Sequence, residues 1–544
     1  MSTLQGQMMD VQLLVSALLR HADYNHADTE IVSRRLEGDI HRYTYSEAAV
    51  RIRKMANALE AFGLKRGERA ATLAWNGYRH FELYYAISGI GSVMHTINPR
   101  LHPEQVAWIV NHAEDRILFF DITFAPIVDA IADQCPTVQQ WVAMIDPDKM
   151  PEMKNVTPVS YEDFIKEQSA AYEWPELDEN AAAALCYTSG TTGNPKGVLY
   201  SHRSLVLHTY AACLPDAFGV DATDVVLPIV PMFHVNAWSL PYVGALAGVK
   251  LVFPGAKLDG ESVCELFENE KVTISAGVPT VWLLVLQHLQ QNNRKLSTVK
   301  RMTVGGSACP PALMKTFKND YGVQLEHAWG MTEMSPLGTY NHPKAKHLQL
   351  SEDEQFQARL SQGRAVFGVE MKIVDDKGNR MPQDGQSTGD LHVRGPWVVG
   401  RYFKKDESPL VDGWFPTGDV GYIDPDGYLT ITDRTKDVIK SGGEWIGSID
   451  IENIAMAHPA VAMAACIAAR HEKWDERPLL LVQIKEGQSV TKEDLLKHFE
   501  GKIAKWWTPD DVLFVDSLPL GATGKVQKNK LRDEYGDHLL KQPA

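Results

Sequence analysis

The feature that most restricts the fold of this chain is a rhythm that runs from near its start to about residue 430. Short runs rich in β-branched and aromatic residues alternate with stretches whose apolar residues recur at helical spacing. Strands are predicted over Arg69–Trp75, Arg116–Asp121, Trp141–Asp146, Val249–Gly255 and Arg301–Gly306. Helices are predicted over Ser46–Phe62, His80–Gly89 and Gly260–Glu270. A chain written this way can bury its apolar residues only by laying helices over sheets, so the class is α/β.

From about Val369 the texture changes. "MKIVDDKGNRM", "GDLHVRG" and "GYIDPDGYLTITDR" are alternating runs broken by D-K-G-N and D-P-D-G, which are hairpin signals. After Asp433 it changes again. Asp450–Ala457 and Thr491–Lys505 read as helices, and Val461–Ala469, Pro478–Lys485 and Val512–Val515 as strands. The expected organisation is a large N-terminal domain (1–435) of layered α/β subdomains plus a β-rich subdomain, followed by a small α+β domain (436–544). The 544 residues leave room for about three to four units of ~150 residues, with no internal repeat.

Charge and cysteine usage narrow the partners. A net charge of -15 argues against a nucleic-acid surface or a general affinity for anionic lipid, though not against a local basic pocket. The six cysteines are scattered without a C-x-x-C pair, which suits a reducing cytosol and gives no zinc or disulfide framework. "VQLLVSALLRHA" is too short and interrupted to span a bilayer, so no integral membrane segment is expected and the location reads as cytoplasmic.

"YTSGTTGNPKGV" (187–198) gathers small hydroxyls and glycines around one lysine, a composition suited to phosphate. It is not a P-loop. Where that loop needs a second glycine and a Ser or Thr, this chain has Pro195, which lacks an N–H, and Gly197, which lacks a hydroxyl. "GIGS" (89–92) likewise lacks the third glycine of a dinucleotide fingerprint. Five further segments follow in order: "PMFHVNAW" (231–238), "HAWGMTE" (327–333), "GWFPTGDVG" (413–421), "DRTKDVIKSGGEWI" (433–446) and "GATGKVQ" (521–527). Together the six resemble the adenylate-forming superfamily of acyl-CoA synthetases, firefly-type luciferases and peptide-synthetase adenylation domains. The resemblance covers essentially the whole chain, and within the superfamily it points to bacterial acyl-CoA ligases.

The resemblance implies two reactions. A carboxylate attacks the α-phosphorus of ATP to give an acyl-adenylate and pyrophosphate; the thiol of coenzyme A then displaces AMP. It implies Mg²⁺ as well. The roles carried over are these. Thr188, Ser189, Gly190, Thr191, Thr192 and Lys196 wrap the phosphates. Glu333 and Thr188 hold Mg²⁺, Thr332 contacts the α-phosphate and Trp329 stacks on adenine. Asp419, Arg434 and Lys436 complete the nucleotide site with His327, Ala328, Gly305 and Gly306. Asp419 suits the ribose because an ionised carboxylate only accepts and can take two O–H donors. Lys525 is expected to stabilise the charge that builds during adenylation, and His234 is expected near the acyl carboxylate and the thiol path.

The same resemblance puts a hinge at Lys436. Rotation there would withdraw Lys525 and bring Lys440, Gly442, Gly443, Glu444 and Trp445 to coenzyme A, the glycines lying where a Cβ would crowd a narrow channel. Relatives commonly carry a proline just after this segment, whereas this chain has Gly447 and Ser448, which leaves the helix start and the nearby contacts open. The acyl group is expected among His234, Trp238, Gly305, Gly306 and Trp329. A tunnel capped by Trp238 favours a short or medium acid such as 3-(methylthio)propionate; with Trp238 in the core, longer fatty acids return. Loading of a carrier protein is a further alternative, against which no carrier segment follows the last motif. A homodimer is implied by resemblance alone.

Overall fold

The computed structural model describes residues 4, 6–188, 194–442, 444–521 and 526–541. Of the expected site residues, Ser189, Gly190, Thr191, Thr192, Gly443 and Lys525 lie outside these, as does the side chain of Glu444. The chain falls into two compact units, Met1–Tyr187 with Gly197–Leu258, and Thr188–Lys196 with Asp259–Ala544.

The first unit holds a seven-stranded sheet in the order Val159–Ser160, Gln140–Ala143, Asp115–Phe120, Arg69–Leu73, Val93–Thr96, Ala182–Tyr187 and Gly197–Ser201. All neighbours are parallel except the last pair. Ile117, Leu118, Phe119 and Phe120 are consecutive and all fully buried. That is the signature of a parallel strand covered on both faces, and it is why "RILFFD" shows no alternation. A second run pairs Val225–Pro228, Lys250–Phe253, Glu30–Arg34 and Ile40–Thr44. The helix Tyr45–Phe62 starts at a capping box, with Thr44 and Glu47 bonding each other's backbone N–H groups, and stops at Gly63 with φ 92°. Of its buried residues, Tyr45, Ala48, Ala49, Ile52, Met55, Ala56 and Leu59 recur at the spacing that predicted it, and Ala58 widens the stripe.

In the second unit three parallel strands, Ile274–Gly277, Arg301–Val304 and Gln324–Gly330, give way to an antiparallel series through Leu337–Tyr340, Gly363–Ala365, Tyr428–Arg434, Phe415–Ile423, Gly389–Arg394 and Glu370–Val374. D-P-D-G is the turn of the Phe415–Ile423/Tyr428–Arg434 hairpin, where Gly427 has φ 87° and donates its N–H to Asp424 O. D-K-G-N also reverses the chain, but its second arm pairs only through a single bridge, Val374 to Arg380.

The last hundred residues build a five-stranded sheet, Glu444–Ile446, Ile439–Ser441, Asp475–Ile484 and Val461–His471, with Asp511–Phe514 parallel to Asp475–Ile484. Ala465 and Ile467 enter one core while Cys466 enters another, so the period of two buries both faces of this sheet. One expectation fails here. Thr491–Lys505 is not one helix: the α-helix is Lys492–Lys497, and a separate short turn covers Lys505–Trp507. Between them Gly501 sits at φ 72°, a left-handed backbone that interrupts the helical path. Among the described residues no helix is long and apolar enough to cross a membrane.

Candidate active site

In the second unit the strand Gln324–Gly330 ends in the segment that matters most. Ala328 and Trp329 pair with Tyr340 and Thr339, the register shifts after Trp329, and Thr332–Met334 form a short 3₁₀ turn. Glycine is required at Gly330, since a Cβ there would lie 1.9 Å from Pro336 O. The Trp329 indole reaches the Phe415–Ile423/Tyr428–Arg434 hairpin. Its Nε1–H donates to Asp419 Oδ2 at 2.9 Å, and Arg434 Nε sits 2.8 Å from Asp419 Oδ1. Asp419 and Arg434 are cross-strand partners, which brings the guanidinium to the carboxylate. Asp419 is 3% exposed, so this carboxylate is fixed from two sides before any substrate arrives.

Glu333 is the second buried carboxylate. Burial pushes its carboxyl above the usual range; the Tyr402 hydroxyl, its own backbone, Arg434 and Lys196 pull it back. The Tyr402 hydroxyl donates to Glu333 Oε1 at 2.9 Å, and Lys196 Nζ lies 4.8 Å from the centre of the Tyr402 ring. Tyr402 had no signal in the sequence: it lies in "VVGRYF", outside every motif and 69 positions from its partner. Thr188 and Lys196 tie off the two ends of the phosphate motif. Thr188 N–H donates to Lys196 O at 2.9 Å, and Lys196 N–H to Thr188 Oγ1 at 3.1 Å.

Around this pair of carboxylates the remaining positions differ in kind. Thr332 is buried at the start of the 3₁₀ turn. Gly305 follows the strand Arg301–Val304, and Gly306 has φ 81°. The ring of His327 is engaged at both nitrogens: Nε2 accepts from Cys309 N–H at 3.1 Å, and Nδ1 lies 3.3 Å from the carbonyls of Leu360 and Ser361. Nδ1 must therefore carry the proton, and burial keeps the ring neutral by lowering its pKa.

Lys436 is exposed in the turn after Arg434, where Asp437 and Val438 N–H both donate to Arg434 O. Lys440 and Trp445 are cross-strand partners, with Nζ 5.5 Å from the indole centre. The contacts of this hairpin run to Glu476, which accepts from Lys440 N–H, and to Trp474, whose carbonyl accepts from Gly442 N–H. The open question at Gly447–Ser448 has a definite answer. The helix Ser448–Met456 begins at Ser448, whose N–H donates to Asp433 Oδ2 at 2.7 Å, a bond that proline could not make.

His234 and Trp238 belong to the first unit and are half-buried. His234 precedes, and Trp238 belongs to, a turn that sequence alone did not suggest. Val235, Asn236, Ala237, Trp238 and Ser239 have φ of 42°, 53°, 49°, 55° and 63°, five consecutive non-glycine residues in the left-handed region. Each costs roughly 1–2 kcal/mol there.

A single Mg²⁺ fits the second-unit cluster. Among the described residues no group of three or more His, Cys, Asp or Glu could hold a metal on its own. Mg²⁺, however, is usually held by one or two carboxylates with substrate phosphates and water. Glu333, desolvated and within the electrostatic reach of Lys196, could supply that one carboxylate.

Comparison with known proteins agrees. A profile described as AMP-binding enzyme matches residues 19–403, and one for the AMP-binding enzyme C-terminal domain matches 450–525. The chain is 54% identical to a 3-methylmercaptopropionyl-CoA ligase of Ruegeria lacuscaerulensis over 98% of this chain and 99% of that one. It is 50% identical to a medium-chain-fatty-acid–CoA ligase of Ectopseudomonas oleovorans, over 98% of each. The crystal structure of ATP-bound MatB from Rhodopseudomonas palustris superposes with a TM-score of 0.82 at 26% identity, covering 97% of this chain and 100% of that one. On the length of these matches and the level of identity, the chain belongs to the AMP-binding enzyme family.

Proposed function

We propose that this chain is an ATP-dependent, AMP-forming acid–CoA ligase, with 3-(methylthio)propionate or a similar short- to medium-chain acid as substrate. The observation that carries the reading is that two buried carboxylates of one unit, Asp419 and Glu333, have differently built surroundings that suit different tasks. Asp419, fixed by Trp329 and Arg434, is an acceptor-only carboxylate of the kind that suits ribose hydroxyls. Glu333, steadied by Tyr402, faces the lysine of the phosphate motif. Glu333 and Thr188 would hold Mg²⁺, which when bound neutralises phosphate charge. Lys196 and Arg434 add fixed positive charge, so the carboxylate anion can approach the α-phosphorus of a polyanion in line. His234 and Trp238 are assigned to the acyl group, with Gly305, Gly306 and Trp329. Lys525 serves adenylation, and Lys440, Gly442, Gly443, Glu444 and Trp445 serve the thiol step after rotation about Lys436. The acid is supported by the names of three relatives at 50–54% identity and by Trp238 being only partly buried.

The test is a panel of acids from C2 to C16 with 3-(methylthio)propionate included. AMP and thioester are measured with free coenzyme A or with a phosphopantetheinylated carrier protein. AMP release that requires free coenzyme A and peaks on the short or medium acids is expected. Release only with the carrier protein overturns the ligase reading, and a peak at C14–C16 overturns the substrate.

A further inference from the structure

The left-handed turn Val235–Ser239 needs something to hold it. Asn tolerates this conformation, but Val235 is β-branched and Trp238 is bulky, so the run does not persist on local preference. Its approaches are fastened. Asn76 donates to the carbonyls of Pro228 and Val230 at 2.8 and 2.9 Å and accepts Met232 N–H at 2.7 Å. Beyond the turn, the Tyr85 hydroxyl donates to Pro241 O at 3.0 Å. At the turn itself the side-chain contact is a relay through two strands. Asn236 is fully buried, and its Oδ1 accepts from Cys186 Sγ at 3.5 Å. Cys186 Sγ in turn lies 3.3 Å from Thr96 Oγ1. Thr96 and Cys186 are paired residues of adjacent parallel strands, near the carboxyl ends of both. Sheet register therefore sets where the sulfur lies, and the sulfur sets where Asn236 lies.

We propose that Asn236, Cys186 and Thr96 form a clamp that fixes the left-handed turn and thereby the directions of His234 and Trp238, making them positioning residues for the acyl group. The effect on acids rests on the assignment of His234 and Trp238 made above; the effect on the turn does not. Neither Cys186 nor Thr96 touches substrate in this account. Removing the thiol leaves a buried amide oxygen without its donor and frees a strained turn to relax, so Trp238 samples more than one position.

The turn is read directly by ¹⁹F NMR of 5-fluorotryptophan-labelled enzyme, the Trp238 line being assigned by its loss in Trp238→Phe. A single narrow line is expected for wild type and Cys186→Ser, and a split or broadened line for Cys186→Ala and Asn236→Gly. A line unchanged in both of those variants overturns the clamp. The acid panel is run on the same proteins. Cys186→Ala should shift the kcat/KM ratio of longer to shorter acids by about fivefold, the effect of losing one hydrogen bond, and Cys186→Ser should restore it. A uniform loss across all acids makes the clamp merely structural and overturns its positioning role. If the fluorine line moves while the acid profile stays fixed in these variants and in Trp238→Ala, the clamp on the turn stands and the acyl assignment is what fails.

Discussion

Replacing Ser448 by proline sets two physical effects against each other, and the structure decides between them. Ser448 is the first residue of a helix, a position where proline is favoured because its fixed φ suits the first turn. Gly447 before it has φ -74° and ψ 122°, which a following proline accepts. Backbone preference alone therefore predicts a gain of about 0.4–1 kcal/mol. Against it stand two hydrogen bonds. Ser448 N–H donates to Asp433, a carboxylate only 1% exposed, and Lys528 Nζ donates to Ser448 Oγ at 2.5 Å. A buried bond to a charged acceptor contributes about 1.5–3 kcal/mol and the hydroxyl about 1. The bonds win, leaving a net loss of about 1.5–3.5 kcal/mol.

In a chain of several units a single unfolding midpoint is a poor gauge, so the loss is best read locally. Hydrogen exchange of the amides in 449–456 should quicken about ten- to several-hundredfold in Ser448→Pro. Ser448→Ala keeps the N–H and should move less. Exchange in the proline variant as slow as in wild type would refute the hydrogen-bond accounting and return the position to backbone preference. Asp433 and Ser448 also lie on opposite sides of Lys436, so under the proposed rotation the same substitution should alter the balance between the two half-reactions.

Three further outcomes are expected. Lys525→Ala should lower acyl-adenylate formation by about 10²–10³-fold, as for loss of one electrostatic contact to a transition state, while thioester formation from pre-made acyl-adenylate largely survives; equal loss in both defeats the two-state scheme. Tyr402→Phe removes a bond that favours the ionised form of Glu333, so its pKa, already raised by burial, should rise further. The acid limb of the adenylation pH profile should then move to higher pH, and a shift to lower pH or none would separate Tyr402 from Glu333 function. Trp238→Ala should favour acids two or three carbons longer by about ten- to sixtyfold, at roughly 0.8 kcal/mol per buried CH₂, with loss on the shortest acids; an unchanged profile removes Trp238 from the acyl site.

Much of the fold could be read from local pattern because local physics produced it. The predicted helix Ser46–Phe62 is the observed Tyr45–Phe62, since capping box, apolar stripe and terminal glycine all sit within it. The strand predicted over Arg116–Asp121 is the observed Asp115–Phe120, since a parallel strand buried on both faces needs an unbroken apolar run. Pattern failed where a residue's conformation was set from outside. Nothing in "KEDLLKHFEGKIAKWW" states that Gly501 adopts a left-handed backbone rather than sitting in a helix at modest cost. Nothing in "HVNAWS" states that five residues turn left-handed, because the reason lies in Cys186 and Thr96 on other elements.

The same division runs through the site. The motifs named Glu333 and Asp419, but a motif states residue type, not charge environment. That environment comes from partners far along the chain. For Asp419 they are an indole 90 residues away and a cross-strand arginine; for Glu333, a phenol on a loop. The two carboxylates are thereby made unequal. Asp419 has a charged partner in contact, the Arg434 guanidinium. Glu333 has a neutral hydroxyl in contact and its cations further off, and burial opposes its ionisation. A carboxylate in that condition gains most from a divalent cation arriving with a triphosphate, because the ion offsets its desolvation and the phosphate charge together. Under the roles proposed for these two residues, the asymmetry orders the events: the ribose contact would be ready beforehand, and the metal contact would be completed by the substrate that brings the metal.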